Sequence, residues 1–195
     1  MKKGGPLVYS FFRAKCLILN LVRKRKEKKM KENYVPFIIA DFRAYLHCMQ
    51  DGDYGLAMAM AEQAAEKSLK GILKCYTDLP PYQQKSNCCA FLLTECQKFG
   101  VEINLDEESM FFLSMGYIGG RYPRGAEYSF GDGLKAGAIA ERAMLLFNKQ
   151  RPSEQIAAIL DYSECHVRLR PEVRLYLQIT RSENPYELYE TPVAS

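Results

Sequence analysis

The 195-residue sequence contains no tryptophan, two histidines and no Cys-x-x-Cys pair. So few histidines argue against histidine-rich metal chemistry, and we expect neither a metal site nor a cofactor. Seven cysteines are an odd number in a chain too long to need disulfides, so we expect reduced thiols and a cytoplasmic protein. No window approaches the roughly 18 uninterrupted apolar residues of a membrane span. A Gly-rich phosphate loop, an HExxH motif and a nucleophile elbow are also missing from the sequence.

The charge of the chain is unevenly distributed. Residues 1–34 hold 11 Lys+Arg and 2 Asp+Glu, a net charge of +9, whereas residues 35–195 hold 16 and 21, a net charge of −5. The overall +4 therefore comes from the N-terminal segment. Because the remainder is mildly acidic, we expect phosphate binding from a local cluster and not from a broad basic surface.

Residues 1–33 form a basic extension, in which the basic cluster follows an apolar stretch, the reverse of a secretory signal. One interpretation is an arm that binds nucleic acid. We favour a second, in which translation starts at Met30, because codons for Lys, Arg and Glu are purine-rich like a ribosome-binding site. The predicted organisation is this extension, a helical domain over 34–150 and a C-terminal extension over 151–195.

The spacing of apolar residues predicts five helices and no strand before residue 150. The first predicted helix runs from about Val35 to a stop at 51–53, and the others cover about 54–76, 87–99, 104–120 and 131–149. Asp53 is expected to cap the second helix, and Asn104 with Glu107 to form a capping box for the fourth. The predicted fold is all-α, an antiparallel helical bundle of about five helices.

The C-terminal extension is predicted to add a short helix after Pro152 and one strand, because apolar and polar residues alternate from Val173 to Thr180. Residues 153–170 are also similar to a degenerate helix-turn-helix, in which Ser163 would cap the second helix. That similarity makes a DNA-binding regulator one alternative function. The other interpretation is a single helix that packs on the bundle and ends near Asp161.

Two segments point to chemistry. The first is AEQAAEKSLK at 61–70, where Glu66 and Lys70 lie four residues apart on one helix face in the order that favours an ion pair. If Arg121 reaches that face, a guanidinium beside an ammonium makes a receptor for a phosphate. The alternative is a solvated surface pair. The second segment is YIGGRYP at 117–123, which also has a plain structural interpretation as a helix stop at Pro123.

Together, and in this order, the two segments resemble the HEPN family (higher eukaryotes and prokaryotes nucleotide-binding domain) over about 34–150. In the ribonuclease branch of that family, an arginine is followed after four to six residues by a histidine. This sequence has Arg121 but no histidine at 122–129. The resemblance is therefore to an Arg-Tyr-Pro branch without the catalytic histidine, which is associated with nucleotide binding and small nucleotidyltransferase partners.

The resemblance implies a non-catalytic protein that binds a nucleotide or an RNA phosphate through Arg121, Lys70, Glu66, Tyr122 and Arg124. It implies a toxin–antitoxin-like system with a nucleotidyltransferase partner, and we expect a homodimer because small bundles with spare apolar faces often pair.

The enzymatic alternative is a metal-independent ribonuclease toxin that uses Arg121 as its catalytic residue. Glu127 or Tyr128 would then take the place of the missing histidine.

Overall fold

The computed structural model describes residues 33–78, 88–121, 127–168 and 170–173, with the side chains of all but 119–121, 165 and 168. The helices are α1 (Val35–Asp51), α2 (Tyr54–Tyr76), α3 (Cys89–Lys98), α4 (Glu107–Arg121), α5 (Phe130–Gln150) and α6 (Glu154–Ser163). A π-helical turn, Glu164–Arg168, follows α6. Within these ranges there is no strand, which confirms the all-α bundle. The basic extension and the proposed start at Met30 lie outside the described residues.

Side-chain caps fix where three of the helices begin. Asp53 caps α2 as predicted, since its Oδ1 accepts a hydrogen bond from the Leu56 amide at 3.0 Å. The predicted capping box of Asn104 with Glu107 is wrong. The residue that caps α4 is Asp106, whose Oδ1 accepts a hydrogen bond from the Ser109 amide at 2.6 Å. That hydrogen bond lowers the pKa of the Asp106 carboxyl.

The α5 helix begins with a capping box that the sequence analysis missed. The Ser129 hydroxyl accepts from the Asp132 amide at 3.2 Å, and the Asp132 carboxylate accepts from the Ser129 amide at 2.8 Å. This box spaces its two residues three apart, as the pattern requires. The sequence pattern did not reveal this capping box, because Asp132 stands where the pattern usually has Glu or Gln.

The α2 helix is central, and α5 runs beside it in the same direction. Near the start of both helices, the rings of Tyr54 and Phe130 are 5.7 Å apart, and near their ends Gly71 lies against the ring of Phe147. A Cβ on Gly71 would be 2.5 Å from a carbon of that ring. Glycine is therefore required here for the close approach of the two helices.

The α3 helix also runs in the direction of α2. The Sγ of Cys89 lies 3.8 Å from the carbonyl oxygen of Glu62, and seven residues later that of Cys96 lies 3.7 Å from the carbonyl oxygen of Leu69. Equal steps along both helices mean that the two are parallel.

The α4 helix runs the opposite way, antiparallel to α5 and therefore to α2. The Tyr128 hydroxyl, just before α5, contacts Met115, and Lys135, within α5, lies over the ring of Phe112. As α5 advances, its partners on α4 therefore move backwards. The end of α4 consequently lies at the end of the bundle where α2 and α5 begin.

The α6 helix packs against α1 and α5 and buries Ile156 and Ile159. It continues into the π-helical turn without a break, because Glu164 keeps helical backbone angles (φ −56°, ψ −52°). The predicted helix-turn-helix is therefore wrong. Ser163 is not a cap, since it is buried and its hydroxyl donates to Oε1 of Glu141 on α5.

The remaining predictions for the extension receive a partial answer. The short helix after Pro152 is confirmed as α6. Of the predicted strand, only Val173 belongs to the described residues, and it lies in a helical turn. The division of the chain at residue 150 stays a prediction. No helix in the described ranges is long and apolar enough to cross a membrane.

Candidate functional site

The middle of α2 carries a buried stripe of charged side chains. Glu62, Glu66 and Lys70 are four residues apart along the helix and are exposed by 0%, 5% and 6%. The alternative of a solvated surface pair at Glu66 and Lys70 is therefore wrong. Because α2 is enclosed by its neighbours, its polar stripe lies inside the protein. Buried charges require internal partners, which the stripe provides.

The stripe forms a connected network. Lys70 Nζ makes a direct ion pair with Oε1 of Glu66. Gln63 Nε2 donates to the other oxygen, Oε2 of Glu66, at 3.2 Å and to Oε2 of Glu62 at 2.8 Å. The amide of Gln63 thus joins two carboxylates that would otherwise repel each other.

Cys89 on α3 completes this network. Its Sγ lies 3.6 Å from Oε1 of Glu62 and donates a weak hydrogen bond to it. Burial raises the pKa of the Cys89 thiol well above its usual range, and the charges of Glu62 and Glu66 raise it further. Since the thiolate is the reactive form, Cys89 stays an inert thiol and belongs to the core.

The sequence analysis missed Gln63 and Cys89 as members of this network. The position of Gln63 next to Glu62 on a polar stripe was an available signal, because an amide can serve two carboxylates. Cys89 had no comparable signal, since its contact with Glu62 depends on the parallel packing of α3. No group of three or more His, Cys, Asp or Glu suited to a metal ion is found in the described part of the chain.

The structure places Arg121 and the Glu66–Lys70 pair in different parts of the bundle. Arg121 is the last residue of α4. Gly116 marks the level of α4 on α2, since a Cβ there would lie 2.9 Å from Cβ of Met58. From this level, Glu66 lies eight residues along α2 in one direction of the bundle axis, and Arg121 lies five residues along α4 in the opposite direction. At 1.5 Å per residue, the two residues are therefore about 20 Å apart along the axis.

That separation exceeds what an arginine side chain can span, and the ammonium of Lys70 is buried as well. By this count, the backbone of α4 carries Arg121 away from Glu66 and Lys70, which the sequence analysis grouped with it. The physical reason is the direction of α4, which the sequence does not specify. Tyr122 and Arg124 lie outside the described residues.

The end of the bundle that holds Arg121 combines helix ends of both signs. Both α2 and α5 begin there with the partial positive charge of a helix N-terminus, whereas α1 and α4 end there with the partial negative charge of a helix C-terminus. The first-turn amides are partly taken, since Asp53 caps α2 and Ser129 caps α5. Helix ends alone therefore give no net attraction for an anion at this end of the bundle.

The two residues considered as replacements for a catalytic histidine lie directly before α5. Tyr128 is half-buried, and its hydroxyl donates to the carbonyl oxygen of Met115 at 3.3 Å. Glu127 is exposed to solvent. The histidines of the sequence are also elsewhere, His47 on α1 and His166 in the π-helical turn.

Comparisons with known proteins agree with this architecture. The model of the HEPN domain family matches residues 39–150, more than half of the chain. No curated protein and no solved structure matches the chain significantly. The matched region runs from the first turns of α1 to the last residue of α5, and so covers the five helices of the bundle. The chain belongs to the HEPN domain family.

Proposed function

We propose that this protein binds a nucleotide or an RNA phosphate through Arg121, without catalysis, and that Tyr122 and Arg124 complete the binding site. Membership of the HEPN domain family indicates a function connected with nucleotides or RNA. The observation that carries the finer proposal is the Arg-Tyr-Pro sequence at the end of α4, with no histidine in the eight residues that follow Arg121.

Two further points support binding without turnover. A planar guanidinium can hold two phosphate oxygens at once. Phosphate cleavage by the 2′-hydroxyl would also need a group to move its proton, and Tyr128 is engaged with Met115. The Glu66–Lys70 pair is left out of the site, since it is buried and its network is internal.

Replacing Arg121 by glutamine should weaken the binding of ATP or of a 5′-phosphorylated RNA by about tenfold or more. The reason is the loss of charge-assisted hydrogen bonds, each contributing about 1.5 to 3 kcal/mol. Isothermal titration calorimetry of both ligands measures the effect. Arg151→Gln, at the end of α5, is the matched control and should bind as the wild type does. Equal affinity in wild type and Arg121→Gln, or no binding by either, would reject the proposal.

The ribonuclease alternative is tested on the same proteins. Incubation of the wild-type chain with labelled RNA should leave the RNA intact, and its expression should not be toxic. Cleavage that is lost in Arg121→Gln but kept in Arg151→Gln would replace the binding proposal with the ribonuclease.

We further propose that the protein forms a homodimer through an apolar stripe on α4. Phe111, Met115 and Ile118 follow the i, i+4, i+7 spacing of one helix face and are exposed by 63%, 49% and 57%. A contiguous apolar face of this kind is typical of a protein–protein contact. The stripe ends three residues before Arg121, so a symmetric contact in which the two α4 helices run parallel would bring the Arg121 ends of two chains near each other.

The double substitution Phe111→Glu with Ile118→Glu should convert the dimer to a monomer, because charges would be buried in an apolar contact. Light scattering coupled to size-exclusion chromatography measures the mass. Leu145→Glu on α5, a residue of similar exposure (43%), is the matched control and should leave the dimer intact. A monomeric wild type, or a dimer that survives the double substitution, would contradict the prediction.

The proposed partner is a small nucleotidyltransferase in a toxin–antitoxin-like system. This proposal is supported by the Arg-Tyr-Pro branch that the sequence resembles. Co-expression with the product of the adjacent gene tests it, and a chain that purifies without that product would reject it.

A further inference from the structure

A cavity of about 650 Å³ lies between α1 and α6 and shares no residue with the proposed Arg121 site. Its apolar lining comes from both helices and includes Ile39, Leu46 and Ile159. This volume falls within the range of small-molecule sites, roughly 300 to 1,000 Å³. Sites of that kind combine an apolar floor with a few polar groups that fix the orientation of the ligand.

The polar lining of the cavity is basic or neutral. Arg43 and His47 lie one turn apart on α1, and the amides of Gln50 and Gln155 also line the cavity. Both basic side chains are exposed, and neither has an ion-pair partner within the described ranges. No Asp or Glu contributes to the lining. Residues 35–195 as a whole carry a net charge of −5, so a cavity lined by basic and no acidic side chains differs from the rest of this part of the chain. This lining favours an anionic ligand.

An aromatic surface borders the same cavity. Tyr162 on α6 lines it and is 45% exposed. One face of the Tyr162 ring stacks on His166, with ring centroids 4.0 Å apart and an interplanar angle of 11°. His166 is fixed in turn, since its Nδ1–H donates to the carbonyl oxygen of Tyr162 at 3.0 Å. The ring is therefore held in place, and its uncovered part is available to the cavity.

The stacked pair lies where α6 passes into the π-helical turn. His166 lies within Glu164–Arg168, four residues after Tyr162, the spacing that makes two residues neighbours on a helix face. Short π-helical segments of this kind occur often at functional sites. The fixed Tyr162 ring thus lines the same cavity as two unpaired basic groups on α1.

We propose that this cavity binds a small aromatic anion, a planar ring that carries a phosphate or carboxylate group. The ring would stack on Tyr162, the anionic group would contact Arg43 and His47, and the glutamine amides would hydrogen-bond to the edge of the ring. Aromatic stacking and a guanidinium contact are the two interactions that recognise a nucleotide without reading its sequence. The inference is independent of the Arg121 site.

The experiment is a calorimetric titration of the full chain that carries Arg121→Gln, so that the first proposed site is removed. The probes are adenosine monophosphate, adenosine, which lacks the charge, and ribose 5-phosphate, which lacks the ring. We expect adenosine monophosphate to bind at least tenfold more tightly than either of the others. The same affinity for a short RNA that ends in this nucleotide would support the proposal and would extend the ligand class to strand ends.

Two substitutions separate the contributions of ring and charge. Arg43→Gln should lower the affinity for adenosine monophosphate toward that of adenosine, with His47 as the remaining basic contact. Tyr162→Leu should lower it toward that of ribose 5-phosphate. The matched controls are Arg151→Gln and Tyr76→Leu, the latter at an exposed ring stacked on Phe99. Both control proteins should bind adenosine monophosphate unchanged.

Three results would overturn the inference. The first is no binding of adenosine monophosphate by Arg121→Gln, which leaves the Arg121 proposal standing if the wild type binds it. The second is equal affinity in Arg43→Gln, Tyr162→Leu and the controls. The third is binding only after removal of residues 182–195, which hold three glutamates and no Lys or Arg. In that case the acidic tail, and not a free ligand, would be the occupant.

Discussion

Replacing Lys70 by methionine should lower the free energy of unfolding by about 3 to 5 kcal/mol. The Glu66 carboxylate would stay buried and would lose the ammonium that neutralises it, keeping the Gln63 amide as its remaining contact on α2. Removing one partner of a buried ion pair is among the most destabilising single changes, because the other charge cannot reach water. Denaturant unfolding followed by circular dichroism measures the loss.

Two variants test whether this loss comes from the unpaired charge. The double substitution Glu66→Leu with Lys70→Met removes both charges and should recover most of the stability. Lys67→Met, on the same helix, breaks the ion pair between Lys67 and Asp41, in which the two side chains are 24% and 19% exposed. This substitution should lower the free energy of unfolding by about 1 kcal/mol. A Lys70→Met protein as stable as Lys67→Met would refute the argument.

The same double variant also tests the separation of the two candidate groups. Since the network lies about 20 Å along the bundle from Arg121, the double variant should bind ATP with wild-type affinity. Loss of binding in a folded double variant would show that Glu66 and Lys70 belong to the phosphate site after all.

The Gly137→Ala substitution should destabilise the protein by about 3 kcal/mol, the upper part of the range for overpacking a core. A Cβ at this position would lie 1.9 Å from the hydroxyl oxygen and 2.3 Å from Cζ of Tyr45, a ring that is 1% exposed. A buried ring cannot withdraw, so α1 and α5 would have to move apart. The expected result is a lower midpoint of thermal and denaturant unfolding.

Gly133→Ala, one turn earlier on α5, is the control for this prediction. The nearest atom there is Sδ of Met49 at 2.5 Å, and a flexible thioether can change its rotamer. The gain of about 1 kcal/mol in helix propensity from glycine to alanine should offset much of the remaining cost. Equal destabilisation by the two substitutions would contradict the assignment of the effect to the rigid ring of Tyr45.

Helix bounds were predicted well where they depend on apolar spacing and capping residues within one segment of the chain. The α2 helix runs over Tyr54–Tyr76 with Asp53 as its cap, as the apolar spacing and the preceding aspartate indicated. The error at α4 was also local, since Asp106 lies between the two residues assigned to the capping box and competed with Asn104 for the role. The helix-turn-helix failed because Asp161 and Tyr162 are compatible with a helix, and packing of Ser163 against Glu141 holds the chain helical there.

The candidate site was harder to predict, because it depends on contacts between segments distant in sequence. The ion pair between Glu66 and Lys70 follows from their spacing, but its burial follows from the central position of α2. The aromatic pair of Tyr162 and His166 has helical spacing, but its place at the edge of a cavity depends on the packing of α6 against α1.

The sequence by itself determined the helical class, the positions of the main helices and the HEPN resemblance, because helix periodicity and the two motifs are local properties. It also showed that the basic charge belongs to the N-terminal segment. Only the tertiary structure decided that α4 runs against α2, which separates Arg121 from Glu66 and Lys70. Helix direction in a bundle is set by which apolar faces pack together, and that choice belongs to the whole chain and not to any one segment of it.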